Sequence, residues 1–268
     1  PTYPQELGKV LVSENFDVRE GEKMAVAICK SCHYNPDLDR LSGIKHGNPG
    51  KFGDLYSSNI TNDSVFGIGT WTDKELAYFL RTGVKRDGSF VFDMPKYNYL
   101  SNEDIASIIA FLRSDDDLVK PVSSRLGVTE YSILSKLMMK TILKPEKYNN
   151  HIITIEKHDT IKLGKYLSTV KYSCANCHSG NSMTYNNQFP EKSWRYFKGG
   201  NPHYDEVNNK VITPSLRPIS KYSRNEFIKI LQTGYKKNGS MLKRPMIPFN
   251  MLDSLEINSI YSYLLTLD

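Results

Sequence analysis

The 268-residue chain has only four cysteines, all inside two pentapeptides, so none remains for a structural disulfide. It has no apolar run of 18 residues, so no stretch reads as a membrane-spanning helix or a signal peptide. Basic residues exceed acidic ones, 35 against 29, for a formal net charge of +6. The charges are dispersed, with no basic run of the kind that grips nucleic acid. Apolar residues make up only 39% of the chain, little for a core of this size. No βαβ pattern flanks the cysteines, which removes the usual setting of a thioredoxin-like dithiol.

What the chain does have is C-x-x-C-H twice: Cys29-Lys30-Ser31-Cys32-His33 and Cys174-Ala175-Asn176-Cys177-His178. The pattern is the attachment signature of c-type haem. Two thiols three residues apart on one helical turn reach the two vinyl groups of one porphyrin. The adjacent histidine then aims its imidazole at the iron. A dithiol or half of a zinc site uses the same C-x-x-C core. A zinc site would have to gather four ligands from pairs 145 residues apart (174 − 29), and two copies that consume every cysteine favour haem. The expectation is two covalently bound haem c groups, one on Cys29 and Cys32, the other on Cys174 and Cys177, with His33 and His178 as iron ligands.

Haem explains the thin apolar content, because each ring is a large apolar body around which a small helical domain can pack. Its propionates offset part of the positive excess, which leaves solubility and steering toward an acidic redox partner. Attachment of this kind is completed outside the cytoplasm. The expected location is the periplasmic side of a bacterial inner membrane, soluble or anchored. The opening Pro1-Thr2-Tyr3-Pro4 is read as following a removed signal sequence or membrane anchor.

Local signals recur along the chain. A first helix runs from Gly21 through Ile28 into the first motif. Residues 34–70, with six glycines and two prolines, read as loops wrapping the haem edge. Thr72-x-x-Glu75 is a capping box opening a helix over Asp73 to Arg81, stopped at Gly83. A turn at Asp87-Gly88, then Met94-Pro95, leads to a helix capped at Ser101 that carries Ile105, Ile108, Ile109 and Leu112. In the second half Ser223-x-x-Glu226, Gly234, Asn238-Gly239, Met246 and Asp253-x-x-Glu256 repeat the order. The offsets hold at 151 (Glu75 to Glu226, Gly83 to Gly234, Gly88 to Gly239) and 152 (Met94 to Met246, Phe111 to Tyr263). This is an internal duplication, one haem domain per copy. The motifs lie 145 apart, so the second copy has seven more residues in its middle loops (152 − 145). The domains are expected at 1–114 and 161–268, joined by a connector at 115–160 with a short amphipathic helix over Tyr131 to Leu143.

The sixth iron position separates a carrier from a catalyst: a thioether there favours Fe(II) and raises the potential, whereas an open site lets small molecules react. Met94 lies in a loop between motif and last helix, followed by a stiffening proline. Met246, in Arg244-Pro245-Met246-Ile247-Pro248, is its repeat partner. Met241 competes in the second copy but breaks the register. Met24, Met138, Met139, Met183 and Met251 read as packing or surface residues. His46, His151, His158 and His203 read as surface histidines, with His46 and His203 as reserve distal ligands because of their Gly/Asn/Pro-rich loops. Tyr56, Trp71, Arg81, Trp194, Arg195 and Arg217 are candidates for haem-edge contacts through hydrogen bonds to propionates.

Ser58-Asn59-Ile60-Thr61-Asn62-Asp63, Gly67-Ile68-Gly69-Thr70-Trp71, Arg81-Thr82-Gly83-Val84, Asp87-Gly88, Met94-Pro95 and Asp104-Ile105-Ala106 through Arg113 resemble the cytochrome c subunits of bacterial membrane-bound, alcohol-type dehydrogenases. Those subunits have N-I-T-P-D, G-I-G-x-W, G-V-x-x-D-G, a Met-Pro loop and a closing D-x-x-A-x-x-A-Y-L-R helix. The match covers about 21–114, and 163–267 more loosely through Gly164-Lys165-Tyr166-Leu167, the second motif, Ile212-Thr213-Pro214, Gly234 and Arg244-Pro245-Met246. The resemblance implies an all-α fold of two tandem class I cytochrome c-like domains with long haem-wrapping loops and a helical connector. It also implies His/Met ligation by His33 and Met94 and by His178 and Met246. Such subunits usually carry three haems, against two here, and the second half lacks N-I-T-P-D and G-I-G-x-W, with Tyr222 in the tryptophan's place.

The function expected is electron transfer between periplasmic or membrane redox proteins, such as a membrane-bound dehydrogenase or a terminal oxidase. The chain would act as a carrier or electron-transfer subunit more than as an enzyme. The alternative is a dihaem peroxidase-like oxidoreductase with one open iron. Thr213-Pro214-Ser215-Leu216-Arg217 is similar to the T-P-x-L-R segment of such peroxidases, without the aromatic and histidine pattern that follows it there.

Overall fold

A computed structural model describes residues 2–46, 52–124, 126–149, 154–204 and 209–268. The chain forms two compact units, Pro1–Thr154 and Ile155–Asp268. Both are helical; the sheets among the described residues are two short antiparallel ladders. No helix among them is long and apolar enough to cross a membrane.

In the first unit, α1 (Val18–Met24) starts at Asp17, whose carboxylate accepts the amides of Arg19 and Glu20. The rod continues through a π-helical turn, Ala25–Cys29, into α2 (Lys30–His33), so the motif is the end of one continuous helix. α3 (Asp73–Thr82) opens with the reciprocal Thr72/Glu75 capping box and ends on Gly83, which takes a left-handed φ of 77° that a side chain resists. α4 (Asn102–Leu112) is capped by the Ser101 hydroxyl. α1 crosses α4 at Gly21. A Cβ there would lie 1.9 Å from the Ser107 carbonyl oxygen and 2.8 Å from the Phe111 Cβ, so only glycine admits this approach. Met24, Leu76, Leu80, Ile105, Ile108, Ile109 and Phe111 form the core around the crossing.

Residues 115–149 attach to this unit as an arm. Leu41 N–H donates to the Leu118 carbonyl, Asn62 N–H to that of Val119, and the Asn59 side-chain amide to those of Val122 and Ser124. β1 (Gly53–Asp54) pairs with β2 (Glu130–Tyr131), and the Tyr148 ring stacks on Tyr78 at 5.5 Å. α5 (Ile133–Thr141), capped by Ser132, fills the place of the expected connector helix. It buries Ser135 and Met139 and turns Ile133, 87% exposed, and Leu137 outward, so its apolar stripe faces away from the unit.

The second unit repeats the plan. α6 (Thr160–Tyr166), capped by Asp159, runs through the π-helical turn Leu167–Lys171 to α7 (Cys174–His178). β3 (Pro202–Tyr204) pairs with β4 (Lys210–Ile212). α8 (Arg224–Thr233) has the Ser223/Glu226 box and a Gly234 stop at φ 78°; α9 (Ser254–Leu265) is capped by Asp253 with Glu256. α6 crosses α9 at Gly164, where a Cβ would lie 1.9 Å from the Ser259 carbonyl oxygen and 2.8 Å from the Tyr263 Cβ. The two crossings agree to within about 0.1 Å in every distance given.

Because each glycine faces a backbone carbonyl, which cannot rotate away, Gly21→Ala and Gly164→Ala are each expected to cost about 1–3 kcal/mol of stability by overpacking. Urea unfolding followed by circular dichroism measures this. Gly8→Ala, where a Cβ meets nothing within 4 Å, is the control.

Candidate haem centres

Each motif ends its helical rod with the histidine buried. In the first unit His33 Nδ1 lies 2.7 Å from the Ser58 carbonyl oxygen; in the second, His178 Nδ1 lies 2.9 Å from that of Pro214. A carbonyl can only accept, so each Nδ1 carries the proton and each Nε2 keeps its lone pair. That is the tautomer a metal-ligating imidazole needs, oriented by a backbone partner. Burial holds both imidazoles below their ordinary pKa, partly countered by the carbonyl bond and reinforced by His46 beside His33 and by His203 beside His178. The ligand form, neutral imidazole, is therefore favoured at neutral pH.

The loops that supply these carbonyls match. Gly43 N–H donates to the His33 carbonyl at 2.8 Å, and Gly199 N–H to that of His178 at 2.7 Å. Both glycines have positive φ, and a Cβ on either would strike the returning strand, at Ser57 in one unit and Thr213–Ser215 in the other. Ser57 hydroxyl donates to the Cys32 carbonyl and accepts from the Ile44 amide. Thus Ser58 and Pro214 are structural counterparts, and Ile212-Thr213-Pro214 corresponds to Tyr56-Ser57-Ser58. Sequence reading missed both carbonyls, since a main-chain acceptor leaves no residue-type signal.

The thiols fit covalent capture. Burial pushes the Cys29 thiol up to about 12, as enclosure does that of Cys174, so both are neutral thiols in apolar surroundings. Cys29 is buried and Cys32 half-buried, Cys174 half-buried and Cys177 exposed, so in each pair the second cysteine lies nearer the rim. Among the described residues no three or more His, Cys, Asp or Glu gather in a metal-holding group. Paired thiols beside a buried imidazole with a free Nε2 fit a thioether-attached haem.

The methionine segments repeat as well. Val91 N–H donates to the Gly83 carbonyl and Leu242 N–H to that of Gly234; Tyr97 N–H donates to Leu80 and Phe249 N–H to Leu231. Met94 and Met246 each stand three residues before Tyr97 and Phe249, and both are half-buried. Met241, 57% exposed, bridges Tyr235 as Phe90 bridges Val84, so its counterpart is Phe90. Tyr97, which sequence reading passed over, is buried against the first motif: burial and the neighbouring Cys29 and Cys32 raise its pKa.

The other candidates fall in different places. Arg81, 1% exposed, gives Nη1 to the carbonyls of Asn98 and Leu100 at 2.9 Å and Nη2 to Asn102 Oδ1 at 2.8 Å. These bonds staple the turn before α4. Arg195 likewise donates to the Gly199 and Lys198 carbonyls within its own loop. Trp71 packs edge-on to Phe79 at 5.7 Å, and Trp194 is exposed. Tyr56 is half-buried, with Lys45 Nζ 5.4 Å from its ring centre, and Arg217 is half-buried ahead of Pro218. His46 donates its backbone N–H to Leu55; His203 Nε2, in β3, is buried with no hydrogen-bond partner among the described residues. His158 is exposed, and His151 lies outside the described residues.

No protein-family model matches the chain. It is 25% identical over 259 residues to the fructose dehydrogenase cytochrome subunit of Gluconobacter japonicus, covering 92% of this chain and 52% of that protein. It is 26% identical over 234 residues to the cytochrome c subunit of the quinone alcohol dehydrogenase of Gluconobacter oxydans (strain 621H), covering 81% and 47%. It is 28% identical over 171 residues to a diheme cytochrome c-type protein of Cereibacter sphaeroides, covering 56% and 53%. The chain thus spans about half the length of the curated relatives it matches.

Asn59 holds the first proximal loop: its side chain donates to Val122 and Ser124 and accepts from the Thr61 amide and hydroxyl. Asn59→Ala is expected to lower stability by about 2–3 kcal/mol, the cost of stranding buried partners, read as a shift in the urea midpoint.

Across nearly its whole length the chain resembles the cytochrome c subunits of bacterial sugar and alcohol dehydrogenases.

Proposed function

We propose that the chain is a dihaem c-type cytochrome that passes electrons between redox proteins on the periplasmic side of a bacterial inner membrane. Each unit is one class I-like haem domain, with domain cores at 1–114 and 161–268 joined by 115–160. The observation that carries this reading is the doubled proximal arrangement: a buried motif histidine whose Nδ1 is tied to a loop carbonyl in both units, directly after a thiol pair. The named relatives, cytochrome subunits of a fructose and an alcohol dehydrogenase and a diheme cytochrome, support it.

When bound, haem c supplies a one-electron Fe(III)/Fe(II) couple. The residues do the rest. Cys29 and Cys32, and Cys174 and Cys177, would fasten each ring. His33 and His178 would present Nε2 to the irons with their orientation fixed through Nδ1. Met94 and Met246 would supply a soft sulfur as the second protein ligand of each iron, which favours the reduced state. The partner would be a redox protein such as a membrane-bound dehydrogenase or a terminal oxidase. The peroxidase-like alternative draws on Thr213-Pro214-Ser215-Leu216-Arg217. In the fold, Pro214 of that segment is the acceptor for His178, a role that a carrier needs equally.

A pyridine haemochrome assay on the mature protein is expected to give two haems per chain, and one per chain would remove half of the reading. The oxidised protein should show the weak long-wavelength band of a methionine sulfur on ferric haem at both irons. Met94→Ala should remove one such contribution and lower that haem's potential in a redox titration. An unchanged spectrum would show that Met94 is not a ligand, and a high-spin signal in the parent protein would favour the open-site alternative.

A further inference from the structure

The arm of the first unit reaches back to the bend that carries Met94. Its Tyr131 hydroxyl donates to Asp93 Oδ1 at 2.8 Å. The same ring packs on Phe92 at 5.0 Å between centres, and Phe92 in turn lies 6.1 Å from Phe52. Phe52 is pinned from the arm too: its carbonyl accepts Ser132 N–H at 3.0 Å and Ser135 Oγ–H at 2.9 Å. Gly53 pairs with Tyr131 across the ladder so closely that a Cβ on it would lie 2.1 Å from the Glu130 carbonyl oxygen. The tyrosine is therefore held by main-chain pairing on one side and holds the two residues before Met94 on the other. Burial, reinforced by the Asp93 charge, raises the Tyr131 phenol, so it stays protonated and able to donate. In the second unit Arg244-Pro245 precedes Met246, and no carboxylate stands where Asp93 does.

We propose that Tyr131 is a positioning residue for Met94: by anchoring Asp93 and Phe92 it keeps the bend closed on the first haem and slows displacement of the methionine sulfur from the iron. This rests on the reading of Met94 as a ligand. The segment before the second methionine, Arg244-Pro245, offers no carboxylate to such a tyrosine, so this clamp belongs to the first unit. Displacement here is a ligand exchange: the sulfur leaves, a nitrogen takes its place, and no electron moves.

The test uses the oxidised full-length protein with imidazole as the incoming ligand, followed by loss of the Met–Fe(III) band in stopped flow. In a Met246→Ala background the remaining band reports the first haem alone. Tyr131→Phe, which keeps the ring and deletes the hydroxyl, is expected to quicken displacement by about fivefold, the scale of one ordinary hydrogen bond lost at an exposed site. Asp93→Ala should do the same, and the double variant should be no faster than either single change. Asp93→Asn, which retains an acceptor, should restore most of the slow rate. A Tyr131→Phe rate equal to that of its parent refutes the clamp while leaving the ligand reading intact. Absence of the band in the parent refutes the ligand reading, and the clamp with it. Should Met246→Ala fail to fold, the comparison runs in the parent chain, where only one of two displacement phases should quicken; no change in either refutes the clamp.

Discussion

A glycine set against a carbonyl governs each half of this molecule. At Gly21 and at Gly164 two helices approach until a Cβ would be 1.9 Å from a main-chain oxygen. That contact fixes the first helix against the last. In the first unit this helix runs without interruption into Cys-x-x-Cys-His, so the crossing determines where the thiols and the imidazole stand. In the second unit Tyr172 and Ser173, the latter at a left-handed φ of 50°, turn the chain between the π-helical turn and the motif, and the crossing sets the start of that turn. Apolar side chains packed around it, such as Met24 with Ile105 and Ile108, or Leu167 with Ile257 and Ile260, stabilise the crossing but could be exchanged among themselves. The glycines could not, because the atom opposite is backbone.

From that fixed end the loops must do one thing, which is to bring a carbonyl to the histidine's Nδ1. They do it by different routes. From motif histidine to positive-φ glycine takes 10 residues in the first unit (43 − 33) and 21 in the second (199 − 178). From the accepting carbonyl to the cap of the next helix takes 14 (72 − 58) and then 9 (223 − 214). The bonds at the two ends are nonetheless alike, with Gly43 and Gly199 on the histidine carbonyl and Ser58 and Pro214 on the ring. The geometry around the imidazole is the constraint, and loop length adjusts to it at small entropic cost.

This explains what was legible in the sequence. Capping boxes, glycine stops and apolar spacing are local, so α3, α4, α8 and α9 were readable at Thr72/Glu75, Ser101, Ser223/Glu226 and Asp253/Glu256, and so was their constant offset. The motif residues were readable because their chemistry is written in residue type. The net of seven extra residues in the second half was countable, but it concealed a long insertion, a shorter deletion and one further residue between the helix cap and Met246 (246 − 223 = 23 against 94 − 72 = 22), because main-chain acceptors carry no side-chain signature. Arg81 was legible as a basic residue on a helix, but its role as a staple was not: burial makes its donors seek carbonyls, and the turn at 97–100 supplies them. The outward apolar face of α5 was also illegible, because periodicity gives the spacing of a stripe and not its direction.

Duplication would lead one to expect two equivalent centres, yet the units differ where it bears on function. The arm over residues 115–149 binds the first unit at its proximal loop through Asn59, at its edge ladder through Gly53 and at the methionine bend through Asp93. One segment thus touches both the proximal loop and the methionine bend of the first unit. With the first haem held between those loops, as proposed, a shared brace would slow any change of its ligands. The second unit carries Arg244-Pro245 where Phe92-Asp93 stand in the first, so no tyrosine–carboxylate bond of that kind precedes Met246, and any asymmetry between the two proposed centres arises in these segments rather than at their proximal histidines, whose carbonyl bonds are alike.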